Sequence, residues 1–130
     1  MHLKEIEKLE AVHLRQYLCY EQQIKDYEEE IAEIMRLCEY AEDLALVKAR
    51  QVCRRYREKI QRSQELKREI EDFIAFCEPL PSLHGIVTLL AHGKTWEQIG
   101  YKLHYHPKAA ARILSTSGRR YFEEWKKTRL

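Results

Sequence analysis

The chain has 130 residues, a formal net charge of +2 and 34 % charged residues, with only four Gly and three Pro. That length allows one small domain, or a small domain with an extension, and the charged, Gly- and Pro-poor composition favours long helices. Four cysteines without a C-x-x-C spacing argue for free thiols over a disulfide framework or zinc site, and the longest apolar run, Ile86 to Ala91, is too short to cross a bilayer.

Residues 1–78 contain neither Gly nor Pro and are rich in Glu, Lys, Arg, Gln, Leu, Ile and Ala, all good helix formers. The opening MHLKEIEKLE lacks the apolar core of a signal peptide, which predicts a cytoplasmic protein. With Leu3 at position a, the a series is Leu3, Glu10, Tyr17, Ile24, Ile31, Cys38, Ala45 and Val52. The d series is Ile6, His13, Tyr20, Tyr27, Ile34, Ala41 and Lys48. This frame is good from Tyr17 to Ala45 and fails at Lys48; a second frame starts at Ser63 and continues through Leu66, Ile70, Phe73 and Cys77. A frame change is either a discontinuity in one long helix or a turn between two.

Charge favours the turn. Residues 1–43 hold 12 acids and five bases, and residues 44–78 hold nine bases and six acids. Folding back at 40–46, with Asp43 as N-cap, lays an acidic helix beside a basic one. The alternative is a single coiled-coil helix of roughly 115 Å at 1.5 Å per residue. Such an apolar stripe serves self-association or packing on a partner helix, and so predicts a homo-oligomer; the sharper reading is docking of another protein, such as a polymerase subunit.

Pro79 and Pro81 end the long helical region and set the boundary between residues 1–78 and 79–130. Leu83 to His92 reads as an apolar supporting helix, closed by Gly93 in a left-handed cap. The next stretch, KTWEQIGYKLHYHPKAAARILSTS, reads as a helix-turn-helix. Thr95 and Gln98 fit a capping box. Trp96, Ile99 and Leu103 share one face, and Gly100 lies where the two helices are expected to approach closely. His104-Tyr105-His106 is the turn, Pro107 opens the second helix, and Ala110, Ile113 and Leu114 face inward. The tail is a final helix or a continuation of the second helix, with Leu114, Tyr121 (or Phe122) and Trp125 on one face, expected to close the core against Leu83 to Leu90.

The outward residues of the second helix are then Lys108, Ala109, Ala111, Arg112 and Ser115, with His106 at its start. Residues 79–130 carry nine bases and three acids, an excess that points to a polyanion, here duplex DNA. Arg112 is the candidate base reader; Lys94, Thr95, Arg119 and Arg120 are placed for phosphates, and Lys126, Lys127 and Arg129 for further ones. The histidines of His104-Tyr105-His106 have no nearby Cys, Asp or Glu and make a poor metal pattern. No nucleotide-binding, hydrolase or metalloprotease motif occurs, so neither a catalytic residue nor a cofactor is expected.

KTWEQIGYKLHYHPKAAARI resembles the helix-turn-helix of sigma-factor region 4, and above all that of phage regulators of the RinA/ArpU type. Gly93, Lys94, Thr95, Trp96, Glu97 and Ile99 match the pattern, Leu103 and Tyr105 fit it, and Glu65 to Ile70 resembles the lysine-rich helix preceding the domain. The resemblance covers about residues 60–125. Here His104 replaces the turn glycine, His106 the N-cap serine and Gly100 the usual alanine. The resemblance implies a phage or prophage transcription regulator in a bacterial host cell, in contact with DNA and, through its N-terminal helices, with host RNA polymerase or another protein. Similar modules occur in small terminase subunits, which pair a helix-turn-helix with an oligomerising helical region. A third alternative is a protein-binding inhibitor or adaptor built on the same scaffold.

Overall fold

The computed structural model describes residues 1–129 and is all-α. Its helices are α1 (Ala11–Leu37), α2 (Asp43–Phe76), α3 (Pro81–Ala91), α4 (Trp96–Leu103), α5 (Pro107–Ile113) and α6 (Arg119–Thr128). The long N-terminal region is a hairpin, and a small helix-turn-helix follows it. Pro79 lies just beyond α2, as expected, and Pro81 takes the first turn of α3, where its missing N–H costs nothing. Packing nevertheless groups residues 1–18 with the chain from Leu66 onward, and 19–65 separately.

Residues 19–65 form an antiparallel helix pair. The frame on α1 is as expected: Ile24, Tyr27, Ile31 and Ile34 line the seam, all half-buried. The break falls at residues 38–42, where Ala41 N–H donates to the Cys38 carbonyl. Asp43 is not the cap; the Glu42 carbonyl accepts the first helical bond, and Asp43 sits in the first turn, where a carboxylate suits the helix dipole. On α2 the seam residues are Leu46, Ala49, Cys53, Tyr56, Ile60 and Ser63, and Ser63 Oγ donates to Gln23 Oε1 at 3.1 Å. Tyr27 and Tyr56 meet at 5.6 Å between centroids. Ala45 and Val52, the last two members of the a series, are exposed instead.

The other unit holds the large core. Residues 1–10 do not continue α1 as the heptad starting at Leu3 requires. Leu3–Glu5 is one 3₁₀ turn, and α1 starts after Glu10, whose N–H donates to His13 Nδ1 at 2.9 Å. Leu3, Ile6 and Leu9 are buried, while the carbonyls of Ile6 and Leu9 accept from Lys126 Nζ (3.0 Å) and Arg119 Nε (3.3 Å). Losing helical bonds here is offset by buried apolar surface and by these charged donors.

The second α2 frame is buried as the sequence predicts, from Ser63 through Leu66, Ile70, Phe73 and Cys77. Phe73 meets Phe122 and Trp125 edge-on, each at 5.6 Å between centroids. Of the two tail candidates it is Phe122 that is buried; Tyr121 packs on Phe76. The tail's ring contacts run to Phe73 and Phe76 of α2, because these rings offer aromatic edges. Cys77 is fully covered, and burial pushes its thiol up to about 12.

Candidate nucleic-acid interface

Local backbone rules build the support of α4. Gly93, at φ +77°, closes α3, with Gly93 N–H donating to Leu90 O and Lys94 N–H to Leu89 O, both at 3.0 Å. This double bond pattern satisfies the last carbonyls of α3. The capping box then forms: Gln98 N–H donates to Thr95 Oγ1 at 3.2 Å, and Thr95 N–H donates to Gln98 Oε1 at 2.9 Å. Arg15 braces this corner from α1, donating to the Lys94 carbonyl at 3.1 Å with its guanidinium 6.0 Å from the Trp96 ring centroid.

The turn follows. His104 sits at φ +61°, in the left-handed region that favours glycine. That conformation costs a non-glycine residue about 1 kcal/mol. Tyr105 N–H donates to the Gly100 carbonyl at 2.9 Å. A Cβ on Gly100 would lie 2.5 Å from the Tyr105 carbonyl oxygen, so the close approach is to the backbone of the turn and of Pro107, where one between the two helices was expected. The Tyr105 hydroxyl and Ser82 Oγ, 2.8 Å apart, tie the turn to the start of α3. Pro107 opens α5, and His106 caps it by accepting Lys108 N–H on Nδ1 at 3.1 Å.

α5 does not end at the tail. It passes through a π-helical segment, Leu114–Gly118, directly into α6. Thr116 Oγ1 and Ser115 Oγ both donate to the Arg112 carbonyl, at 2.8 and 3.0 Å. These hydroxyls compete with the backbone for that acceptor, which favours the wider turn. A Cβ on Gly118 would meet Leu114 and Leu83 at 3.0 and 3.3 Å, so the segment lies close against α3.

The proposed contact residues fall into two groups. Lys108, Arg112 and Ser115 are exposed on the outer side of α5 and its extension, with His106 exposed at the helix start. Ala110 and Leu114 face inward as expected; Ile113 is only half-buried. Thr95 is exposed, Lys94 half-buried and Arg120 exposed. Arg119 stands apart, since its guanidinium is committed to the Leu9 carbonyl, and Lys126 is likewise held by Ile6 and by Glu123 at 2.9 Å. Between residues 94 and 120 there are six Lys or Arg and one acid, Glu97.

Sequence reasoning missed Tyr101, which is 87 % exposed on α4 beside Gln98 and Lys102 along an open, shallow depression. Its position on the face opposite Ile99 was a readable signal. Among the described residues no three His, Cys, Asp or Glu side chains are grouped to hold a metal ion, and no helix is long and apolar enough to cross a membrane. No protein-family model, curated protein or solved structure matches the chain.

Proposed function

We propose that the protein binds duplex DNA through α4, the turn and α5, as a transcription regulator of the phage type its sequence resembles. The observation that carries this reading is the outer side of α5: Lys108 and Arg112 are exposed together on a helix without a carboxylate, with Ser115 exposed on the π-helical segment that follows. Arg112 has the fork of donors that fits a guanine edge, and Lys108 contributes a phosphate contact. Lys94, Thr95 and Arg120 flank them as phosphate contacts; Arg119 leaves that set because it holds Leu9. Ala109 and Ala111 add no polar reach, so affinity rests chiefly on phosphates and specificity on few base contacts.

The test is fluorescence anisotropy with labelled duplex DNA over a salt series. Binding that weakens with salt, and weakens further in Lys108→Ala and Arg112→Ala, supports the reading. Absence of binding at low salt removes it.

One observation favours a second reading, a protein-binding adaptor: Tyr101 stands exposed on α4 beside Gln98 and Lys102, and exposed tyrosines are common anchors of protein interfaces. A protein partner retained at high salt, released by Tyr101→Ala and indifferent to DNA, would select it.

A further inference from the structure

We propose that the hairpin of residues 19–65 pairs with the same hairpin of a second copy of the chain, through one face that is acidic on α1 and basic on α2. This inference is independent of DNA binding.

The starting point is what the hairpin fails to cover. Its buried seam residues are Ala49, Cys53 and Ser63, all small. Ile24, Ile31, Ile34, Leu46 and Ile60 remain half-buried, since two helices cover each other on one side only. Leu37 and Leu44 are each 69 % exposed and Val52 is 37 % exposed. An apolar surface of this kind calls for a further layer of helices.

Charge identifies the layer. In residues 19–37 six acids outnumber two bases, and in residues 43–65 seven bases outnumber three acids. The hairpin therefore carries −4 on one rod and +4 on the other. On α1, Gln23, Asp26, Glu30, Glu33 and Leu37 recur at spacings of three and four, one helical row. On α2, Leu44, Lys48, Val52, Arg55, Lys59 and Arg62 make the corresponding row. The Ser63–Gln23 hydrogen bond and Lys59 Nζ lying 5.6 Å from the Tyr27 ring centroid put both rows along the same side of the seam. All of these row residues are exposed, and among the described residues none of the row's charged groups is joined in an ion pair.

A face that is acidic along one edge and basic along the other is complementary to itself. With a twofold axis running along the helices, α1 of each copy lies over α2 of the other, acid on base, in a four-helix arrangement with antiparallel neighbours. An axis across the helices would stack α1 on α1 and set like charges together. The apolar ends Leu37, Leu44 and Val52 then supply burial, and the charged rows select the register.

The experiment is sedimentation velocity on the full chain, from about 1 to 100 μM, a range that brackets moderate affinities. The expected species is a dimer. Glu30→Lys with Glu33→Lys, or Arg55→Glu with Lys59→Glu, should each raise the dissociation constant at least tenfold, and mixing the two variants should restore a heterodimer. Recovery on mixing separates lost pairing from lost folding, and circular dichroism of each variant checks helix content. Arg54→Glu with Arg57→Glu, outside the two rows, should leave the dimer intact. The proposal is overturned by a wild-type monomer across the range, by a larger ring, by a dimer indifferent to the row variants, or by folded variants that fail to pair on mixing. Capture of a different protein by a monomeric wild type overturns it as well.

Discussion

The indole N–H of Trp125 donates to Asp72 Oδ2 at 2.9 Å, and the same oxygen receives Arg129 Nε at 2.6 Å. The Trp125 ring is buried against Phe73 and Phe122, so this carboxylate fixes the polar end of the main aromatic cluster. The Arg129 hydrogen bond holds the Asp72 carboxyl below the usual carboxylate range; burial opposes it, and the Trp125 bond and Arg129's charge add to it.

A carboxyl whose folded value is depressed stabilises the fold above its unfolded value and loses that contribution as pH falls through the folded one. Asp72→Asn should therefore cost about 1 kcal/mol near neutral pH, the scale of a hydrogen bond on a half-exposed group. The gap between wild type and variant should close as the solution is acidified below the ordinary Asp range. Urea melts across that pH range measure it; a gap that stays constant would sever the assignment.

Gly100 has no room for a methyl group. Its added Cβ would strike the Tyr105 carbonyl at 2.5 Å and the Pro107 nitrogen at 3.2 Å, both backbone atoms. Gly100→Ala should destabilise by about 2 kcal/mol through overpacking. Gly85→Ala is the comparison: its Cβ meets only the Leu103 side chain, at 3.2 Å, which can rotate away. Thermal melts should show a clear drop for the first and a small change for the second.

His104 and Gly93 both occupy left-handed backbone, with opposite consequences. His104→Gly relieves the steric cost and gives back part of it as chain entropy, so a gain of about 0.5 kcal/mol is expected. Gly93→Ala should lose at least about 1 kcal/mol, since its Cβ would also lie 2.6 Å from Leu18 Cδ1. Opposite shifts in chemical denaturation midpoint are the signature.

Arg119 and Arg112 separate stability from binding. Arg119→Ala frees the Leu9 carbonyl and should cost about 1 kcal/mol of stability. Arg112→Ala should leave the melting temperature unchanged while reducing the salt slope of DNA affinity by about one. The same melting loss for both would place Arg112 in the fold.

What could be read from sequence was local. The capping box at Thr95, the glycine at 93 and the proline at 107 each act within a few residues of chain, and each formed as expected. The start of α1 was hidden because Leu3, Ile6 and Leu9 have a spacing that suits a helix; Arg119 and Lys126, more than 100 residues away, decide otherwise. The α2 seam between Leu46 and Ile60 was hidden for another reason. Its buried members, Ala49 and Cys53, are small and carry little hydrophobic signal, while the more visible Val47 and Val52 face water. Of the proposed contact residues, exposure along α5 followed from periodicity, but Arg119's engagement depends on tertiary placement.

The buried series Ala110, Leu114, Gly118, Phe122 runs in steps of four, longer than the 3.6-residue turn of an ordinary helix. Left regular, that excess would rotate α6 by roughly 100°, the phase of one residue, and swing Phe122 and Trp125 out of the cluster with Phe73. The π turn absorbs the surplus residue on its exposed side, at Ser115 and Thr116. Removing one of those two residues would restore ordinary winding and keep the tail in phase. A one-residue loss beyond Trp125 would leave that surplus in place and the cluster untouched. The π turn thus gives this helix a place where its length is free to change.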